Sequence, residues 1–484
     1  MRQALHIFRK DARRFAYEIC VMAAITAAFA WSATRGDPFG TWASYLRFAV
    51  GVLPFSWWYV IALLIHEEAL AGDRRFWITR PYSRWSLLGA KALFVVAFMS
   101  VPLTIAQCVI LAAAGFHPLD YLPNLLWVQT ILAGVILLPA LAFASLTRTL
   151  VQFIITILGT VAGLITLSVL MSGTGHGYLT HQILVSPGLA WTAGLFGNLL
   201  IAVPALAVFL TQWGTRRRVL AVSVGLAALV LPEFGAGSAI RSMGVSVQSR
   251  MFGQRGVDAV TVTLRADEVT PDTVAANDGI GLAPRLRVAG IAPGNTISPE
   301  IVELTFERAG GERWSTGWTQ VISSEADVFQ KDPTPDGTFA WWQRVVVDSG
   351  FYRRARGAPV TIRGSAYIMV NMRRGFDLSY GRTTGVTGNG RCTVSAVAMT
   401  QMTSADCVAA FHAPFNTVEY LRDAPPQTVR LISYWDSPLP AEWSMSPLFT
   451  QSGATGRGGR FLFLRYEPRA YVRRDFEVQG VRLP

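Results

Sequence analysis

Lysine is the chain's most conspicuous shortage: only Lys10, Lys91 and Lys331 occur, so the other 40 of its 43 basic residues are arginine. A phosphate-binding P-loop needs Gly-x-x-x-x-Gly-Lys-Ser/Thr, with the lysine reaching the phosphates. None of the three lysines precedes Ser or Thr, so ATP hydrolysis by that route is excluded. Histidine is scarce too. Of six in the chain, only His412 lies after residue 240, which excludes a His-rich metal site from that half. Charged residues make up 15% of the sequence, against roughly 25% in an ordinary soluble domain. No polybasic block is present, so nothing points to nucleic acid.

What is abundant is apolar surface: 51% hydrophobic residues and a mean hydropathy of +0.35. At 484 residues a soluble chain would hold about three domains of ~150 residues, but this composition belongs to a membrane protein. The excess is uneven. Long uncharged stretches stop near Ala239, and beyond them apolar and polar residues alternate. The expected architecture is a polytopic α-helical membrane domain over 1–240, followed by an all-β domain, a sandwich, over 241–484. The first segment holds 16 basic and 8 acidic residues and the second 27 and 23, so the net +12 is spread over both.

A helix of about 20 apolar residues crosses the ~30 Å hydrocarbon core. Runs of this kind predict about seven spans: Ala16–Ala33, Tyr45–Ile65, Ala92–Gly115, Leu122–Leu146, Val151–Met171, Leu189–Trp213 and a short Val219–Phe234 ending in Pro232-Glu233. Pro54, Pro102, Pro139 and Pro204 fall inside them, as kinks that neighbouring helices can re-satisfy. The first run lacks a small-residue cleavage pattern and reads as a span rather than a signal peptide. One set of connecting loops carries 14 Lys and Arg, and the opposite set carries only Arg35 and Arg47. Basic residues favour the cytoplasmic side, which puts the amino terminus inside and, with seven spans, the carboxy-terminal half outside. Ahead of the first span, Leu5, Phe8, Ala12 and Phe15 recur at helical spacing among Arg2, Arg9, Lys10, Arg13 and Arg14. This reads as an amphipathic interfacial helix or as a frayed basic leader that only sets topology.

The segment between the second and third runs, His66 to Lys91, is too long and too charged for a minimal turn. Glu67, Glu68 and Asp73 precede Arg74, Arg75, Arg80 and Arg84, while Phe76, Trp77, Ile78, Tyr82 and Trp85 supply apolar surface. Arg80 precedes Pro81 and is biased away from the α region, so a break falls there, with Ser83 placed to cap the helix that enters the membrane. The pattern Glu67, Glu68, Gly72, Thr79, Pro81, Ser83, Arg84, Leu87, Leu88 and Lys91 resembles the permease subunits of ABC-2 type exporters. The resemblance covers roughly the first 235 residues. It implies that this loop holds a coupling helix docking on a separate ABC ATPase subunit, with Glu67, Glu68, Asp73, Arg74, Arg75 and Arg80 as docking residues. It also implies a homodimer or a paralogous permease partner in the bilayer. The chain departs from the family's usual six spans and carries a large terminal extra domain. Without a family, the loop reads equally as a solvated connection with aromatics at the interface.

Elsewhere candidates for chemistry are few. Gln107, Gln129, Gln152, Asn198 and Gln212 lie in or near spans, where such residues glue helices more often than they line a path. His117, His176 and His181 fall in outer loops at spacings that match no ligand pattern, so no metal and no cofactor is expected. In the β half, Val260–Leu264, Val302–Phe306, Arg344–Asp348, Val360–Val370, Val429–Ser433 and Phe461–Arg465 read as strands, punctuated by turn clusters such as Ala292–Asn295 and Asp332–Gly337. No Gly-x-Ser-x-Gly elbow occurs. Trp341, Trp342, Trp435 and Trp443 suit packing better than sugar stacking. Cys20 and Cys108 sit in spans as small apolar residues. Cys392 and Cys407, 15 positions apart, are the only pair in the β half and are expected to form a disulfide if that half is extracytoplasmic.

Two functions follow. The first is the permease subunit of an ATP-driven ABC-2 type exporter in the cytoplasmic membrane, itself not an enzyme. The alternative is a membrane-anchored β-sandwich ectodomain that binds or catalyses without transport, against which stands the number of apolar runs.

Overall fold

The computed structural model describes residues 2–34, 41–67, 83–113, 116–173, 187–215, 217–230, 236–253, 257–272, 279–321, 334, 336–379, 382–386, 390–396, 402–408, 419–423, 448–451 and 460–484. Its first half is helical and its second half is β-rich. The α-helices are α1 Arg2–Arg14, α2 Ala16–Thr34, α3 Thr41–His66, α4 Arg84–Val95, α5 Val101–Ala113, α6 Leu122–Leu132, α7 Leu138–Leu146, α8 Leu150–Gly173, α9 Pro187–Thr215, α10 Arg218–Val230 and α11 Ala236–Phe252, with a short α12, Ser349–Ala355, among the strands.

Among the described residues, three helical stretches are long and apolar enough to cross a membrane: Trp85–Ala113, Leu125–Leu146 and Leu195–Thr215. The count is four if α1 and the first part of α2, bent by 76° at their junction, form one span. This is fewer than the seven expected. The described apolar stretches of α3 and α8, Gly51–His66 and Leu150–Gly163, fall short of a span. The described part of the seventh run is α10, 13 residues and about 20 Å at 1.5 Å per residue. Exposed Ile154, Ile155, Leu158 and Ile165 on α8, and Val203 and Leu210 on α9, are the surface of a protein whose solvent is lipid.

Two spans contain π turns, Val96–Ser100 between α4 and α5 and Ala133–Leu137 between α6 and α7. Each precedes a proline, Pro102 and Pro139. Proline has no N–H and its ring clashes with the preceding turn. The wider turn makes room: Val101 N–H donates to Val96 and Leu138 N–H to Ala133, five residues back in each case. A neighbour contributes as well, because the Trp58 indole N–H donates to the Ile136 carbonyl at 3.0 Å.

The β half has two sheets over one hydrophobic core. The first joins β1 (Thr261–Pro271), β2 (Gly279–Ala289), β5 (Phe339–Trp342) and β6 (Val345–Asp348), the last two both pairing with β2. The second runs β11–β13–β7–β3–β4, from Glu419–Asp423, Arg460–Arg482, Pro359–Ser379, Asn295–Arg308 and Arg313–Gln320 respectively. Leu286, Val288 and Val347 from one sheet share a core cluster with Leu304, Phe306, Ile362, Ile368 and Val472 from the other. A third sheet, β12–β10–β9–β8, is built from Leu448–Gln451, Met402–Val408, Gly390–Ala396 and Thr383–Val386. The turn cluster at Ala292 is a hydrogen-bonded turn, Asn295 N–H to Ala292 at 3.1 Å, with Pro293 second and Gly294 at φ 81° third, the residues a type II turn demands.

Sequence periodicity placed the change from helix to strand near Arg241, but α11 continues to Phe252 and the first strand begins at Thr261. This helix ends at Gly253, in the left-handed region at φ 60°, whose carbonyl accepts from Tyr471 N–H in β13 at 3.2 Å.

Candidate functional site

The two ends of the charged loop meet at the helical half's first element. At the start, Glu67 lies one residue past α3 and its carboxylate contacts the Arg14 guanidinium at 2.5 Å and Lys10 at 3.9 Å. At the far end, Ser83 has extended backbone (φ −71°, ψ 145°) and its hydroxyl accepts from Ser86 N–H at 3.0 Å. This is the N-cap that residue chemistry predicts, satisfying one of the orphan donors of α4. Two turns on, Lys91 Nζ donates to Asp11 Oδ2 at 2.8 Å.

That last pair is buried: the Lys91 side chain is 3% exposed and Asp11 is 0% exposed. Aromatic contacts surround it. Phe8 stacks on Phe98 at 5.6 Å, and Phe15 meets Phe94 edge-on at 6.1 Å. The α1 helix therefore packs on the third apolar run through Ile7, Phe8, Asp11 and Phe15, and exposes Arg2, Arg9, Lys10 and Arg13. The segment is helical, as the interfacial reading expected, but the face it buries, Ile7 and Asp11 with Phe15 beyond it, covers protein, and Leu5 of the expected apolar face is exposed. The geometry has a clear mechanical content. One short helix holds both stems of the loop, through Arg14 on one side and Asp11 on the other.

Of the expected docking residues, Glu67 is committed to this clasp, with its side chain 10% exposed. Glu68, Asp73, Arg74, Arg75 and Arg80 lie outside the described residues, as does the Gly72–Pro81 part of the motif. Leu87 and Lys91 are buried. Asp11 is the partner that sequence reading missed; an acid on the apolar side of an amphipathic stretch, between Phe8 and Phe15, was the available sign. His66 closes the same end of the bundle by hydrogen bonding the Thr147 hydroxyl at 2.9 Å.

The intramembrane glutamines act between and at the ends of helices. Gln129 Nε2 donates to Gln107 Oε1 at 3.1 Å, joining α6 to α5. Gln152 accepts from Arg148 N–H at 3.0 Å just before α8. Gln212 is buried and Asn198 half-buried. His117 is exposed beside Asp120, while His176 and His181 lie outside the described residues. Among the described residues no group of three or more His, Cys, Asp or Glu is placed to hold a metal.

In the β half a shallow cleft on the outer face of the second sheet is lined by Glu303, Thr305, Arg363, Ser365, Arg473, Asp475 and Glu477. Most of its charges are paired with one another. Arg363 meets Glu477 at 3.1 Å and Glu307 at 3.3 Å, and Arg473 meets Asp475 at 3.2 Å. The Ser365 hydroxyl, and then Arg473, hold the Asp475 carboxyl below its usual range. Arg473 also lies over the Trp318 ring. Trp341 is buried, and Trp342 is 40% exposed beneath Arg285; Trp435 and Trp443 lie outside the described residues.

A different contact ties the halves together. Gln248 of α11 donates to the Glu300 carboxylate in β3 at 2.9 Å, and neither residue is more than 2% exposed. Burial, reinforced by Glu300, pushes the adjacent Tyr471 hydroxyl far above its ordinary range.

Comparison of the chain with protein-family models, with curated proteins and with solved structures returned no match.

Proposed function

We propose that this chain is the membrane-spanning permease subunit of an ATP-driven exporter of ABC-2 type, coupled through its 66–91 loop to a separate ATPase subunit. The observation that carries the reading is the clasp of α1 on both stems of that loop, Arg14 to Glu67 and Asp11 to Lys91. A loop that only connected two helices would need no such bracing. A loop that receives force from a partner needs its stems joined to the helices it must move, and a buried ion pair is stiff because breaking it strands a charge. The chain's lack of a P-loop lysine supports a reading in which ATP hydrolysis belongs to the partner. In this reading the β half is extracytoplasmic, and two permease units, identical or paralogous, open alternately inward and outward around a shared path.

Affinity purification of the full chain from native membranes in mild detergent tests the reading. A P-loop ATPase is expected to co-purify, and to be lost when Glu68, Arg74 and Arg75 are reversed in charge while the chain's own yield and thermal stability hold. Recovery of the chain with no ATPase from membranes that contain its genomic neighbours would overturn it.

A further inference from the structure

Strands β9 and β10 pair antiparallel, and their register sets Cys392 directly opposite Cys407, flanked by Thr393 opposite Asp406 and Arg391 opposite Val408. Directly opposed residues of an antiparallel pair have Cα atoms about 4.5–5.5 Å apart, inside the roughly 4.4–6.8 Å that a disulfide spans. They also share one face of the sheet. A slip of one residue would send the two positions to opposite faces. The chain has only four cysteines. Cys20 and Cys108, in the helical half, are free, and the remaining two occupy facing positions of one ladder. Spacing along the chain does not demand this: any loop of similar length would keep the 15-residue interval and lose the register.

We infer that Cys392 and Cys407 form a disulfide across strands β9 and β10. The bridge forms by exchange. One thiol loses its proton and attacks the disulfide of a dithiol oxidant, giving a mixed disulfide. The second thiolate displaces the oxidant, which leaves as a dithiol carrying the two electrons. Such oxidants act outside the cytoplasm, so the inference rests on the extracytoplasmic placement of the β half but not on transport. The bridge has structural work to do there. It joins the two central strands of the sheet β12–β10–β9–β8 covalently.

The test uses full-length protein in its native membranes. Thiols are blocked with one maleimide at lysis in denaturant, the sample is reduced, and a second maleimide of different mass is added. Both cysteines fall in the single tryptic peptide Cys392–Arg422, because no Lys or Arg lies between. That peptide is expected to carry only the second label, at both positions, while Cys20 carries the first. Cys392→Ser should leave Cys407 taking the first label, and Cys407→Ser the reverse. First label at both positions in the wild-type chain would overturn the bridge. If those same membranes still retained the ATPase, the failure would fall on the bridge and the sidedness while the permease reading stood. Second label on one position only, in a disulfide-linked dimer, would overturn the cross-strand pairing in favour of a bridge between chains.

Discussion

Lys91 and Asp11, 80 residues apart in sequence, form an ion pair at 2.8 Å that is almost sealed from solvent. Only Oδ2 of the aspartate is engaged, and Oδ1 has no hydrogen-bond partner among the described residues. Removing one member leaves the other buried and charged, which costs about 3–5 kcal/mol. Asp11→Ala and Lys91→Ala are therefore each expected to lower thermal stability in detergent sharply. The double replacement Asp11→Leu with Lys91→Met should recover most of the loss. A double variant no better than the singles would show that the pair contributes more than the relief of a stranded charge.

The Arg14–Glu67 contact gives a separate test of the clasp, because it is more exposed and involves the loop's other stem. Arg14→Glu and Glu67→Arg should each weaken retention of the ATPase, and the charge swap should restore it. For Arg14→Glu, at a side chain 58% exposed, the effect on stability should stay below about 1 kcal/mol. Failure of the swap to restore retention would place Glu67 in direct contact with the partner.

Sidedness can be read with protease. Sealed spheroplasts should keep α1, given the 14 to 2 bias of basic residues between the two sets of loops, and should lose the β half if the chain crosses the membrane an odd number of times, as the seven apolar runs require. Full protection of the β half would follow if the helix Arg218–Val230, at 13 residues, does not cross.

Gly290, at φ 78°, ends β2 where a Cβ would lie 1.9 Å from the Ala259 carbonyl oxygen. Gly290→Ala combines left-handed strain of about 1–2 kcal/mol with an overpacking cost of about 1–3 kcal/mol. The β half should lose stability by about that sum, seen as a lower urea midpoint by tryptophan fluorescence. Gly294→Ala, in open space at φ 81°, should cost only the strain.

Asp336 sits in a tight turn, its carboxylate accepting from the hydroxyl of Thr334 and from the hydroxyl and N–H of Thr338, with Arg287 nearby. The Thr334 and Thr338 hydrogen bonds lower its pKa from 3.8 to about 2. A depressed carboxylate stabilises the fold fully above its unfolded pKa, and the contribution disappears as pH falls through the folded value. The turn should therefore loosen between about pH 4 and pH 2, followed by hydrogen exchange at Thr338. In Asp336→Asn that acid-dependent step should be absent.

The two chemistries of the chain were unequally legible. Apolar runs and period-two segments marked helical and β halves; strands at Val260, Val302 and Val360 fall where alternation put them, because one face of each meets a core, and Phe461–Arg465 lies within β13. Val429–Ser433 lies outside the described residues. Ser83 was readable as a cap because capping is local. The Asp11–Lys91 pair was not, since partners 80 residues apart are chosen by packing. The helix α11 was missed for a similar reason. Arg241, Ser242, Gln248 and Arg250 dilute its apolar pattern, and Gln248 is buried only because Glu300 awaits it. Fewer spans stand among the described residues than the apolar runs suggested, because the described apolar stretches Gly51–His66 and Leu150–Gly163 are shorter than a crossing needs.

Helix α11 packs against α9 at one end of its reach and delivers Gln248 to Glu300 at the other. Seventeen residues of helix make a rod of about 25 Å. Anchored by a buried amide–carboxylate contact and by the Gly253–Tyr471 hydrogen bond, it is a welded joint in place of a swivel. A tilt of ~10° in the last long apolar helix, carried along a rod of ~25 Å, would displace the sheet by about 4 Å.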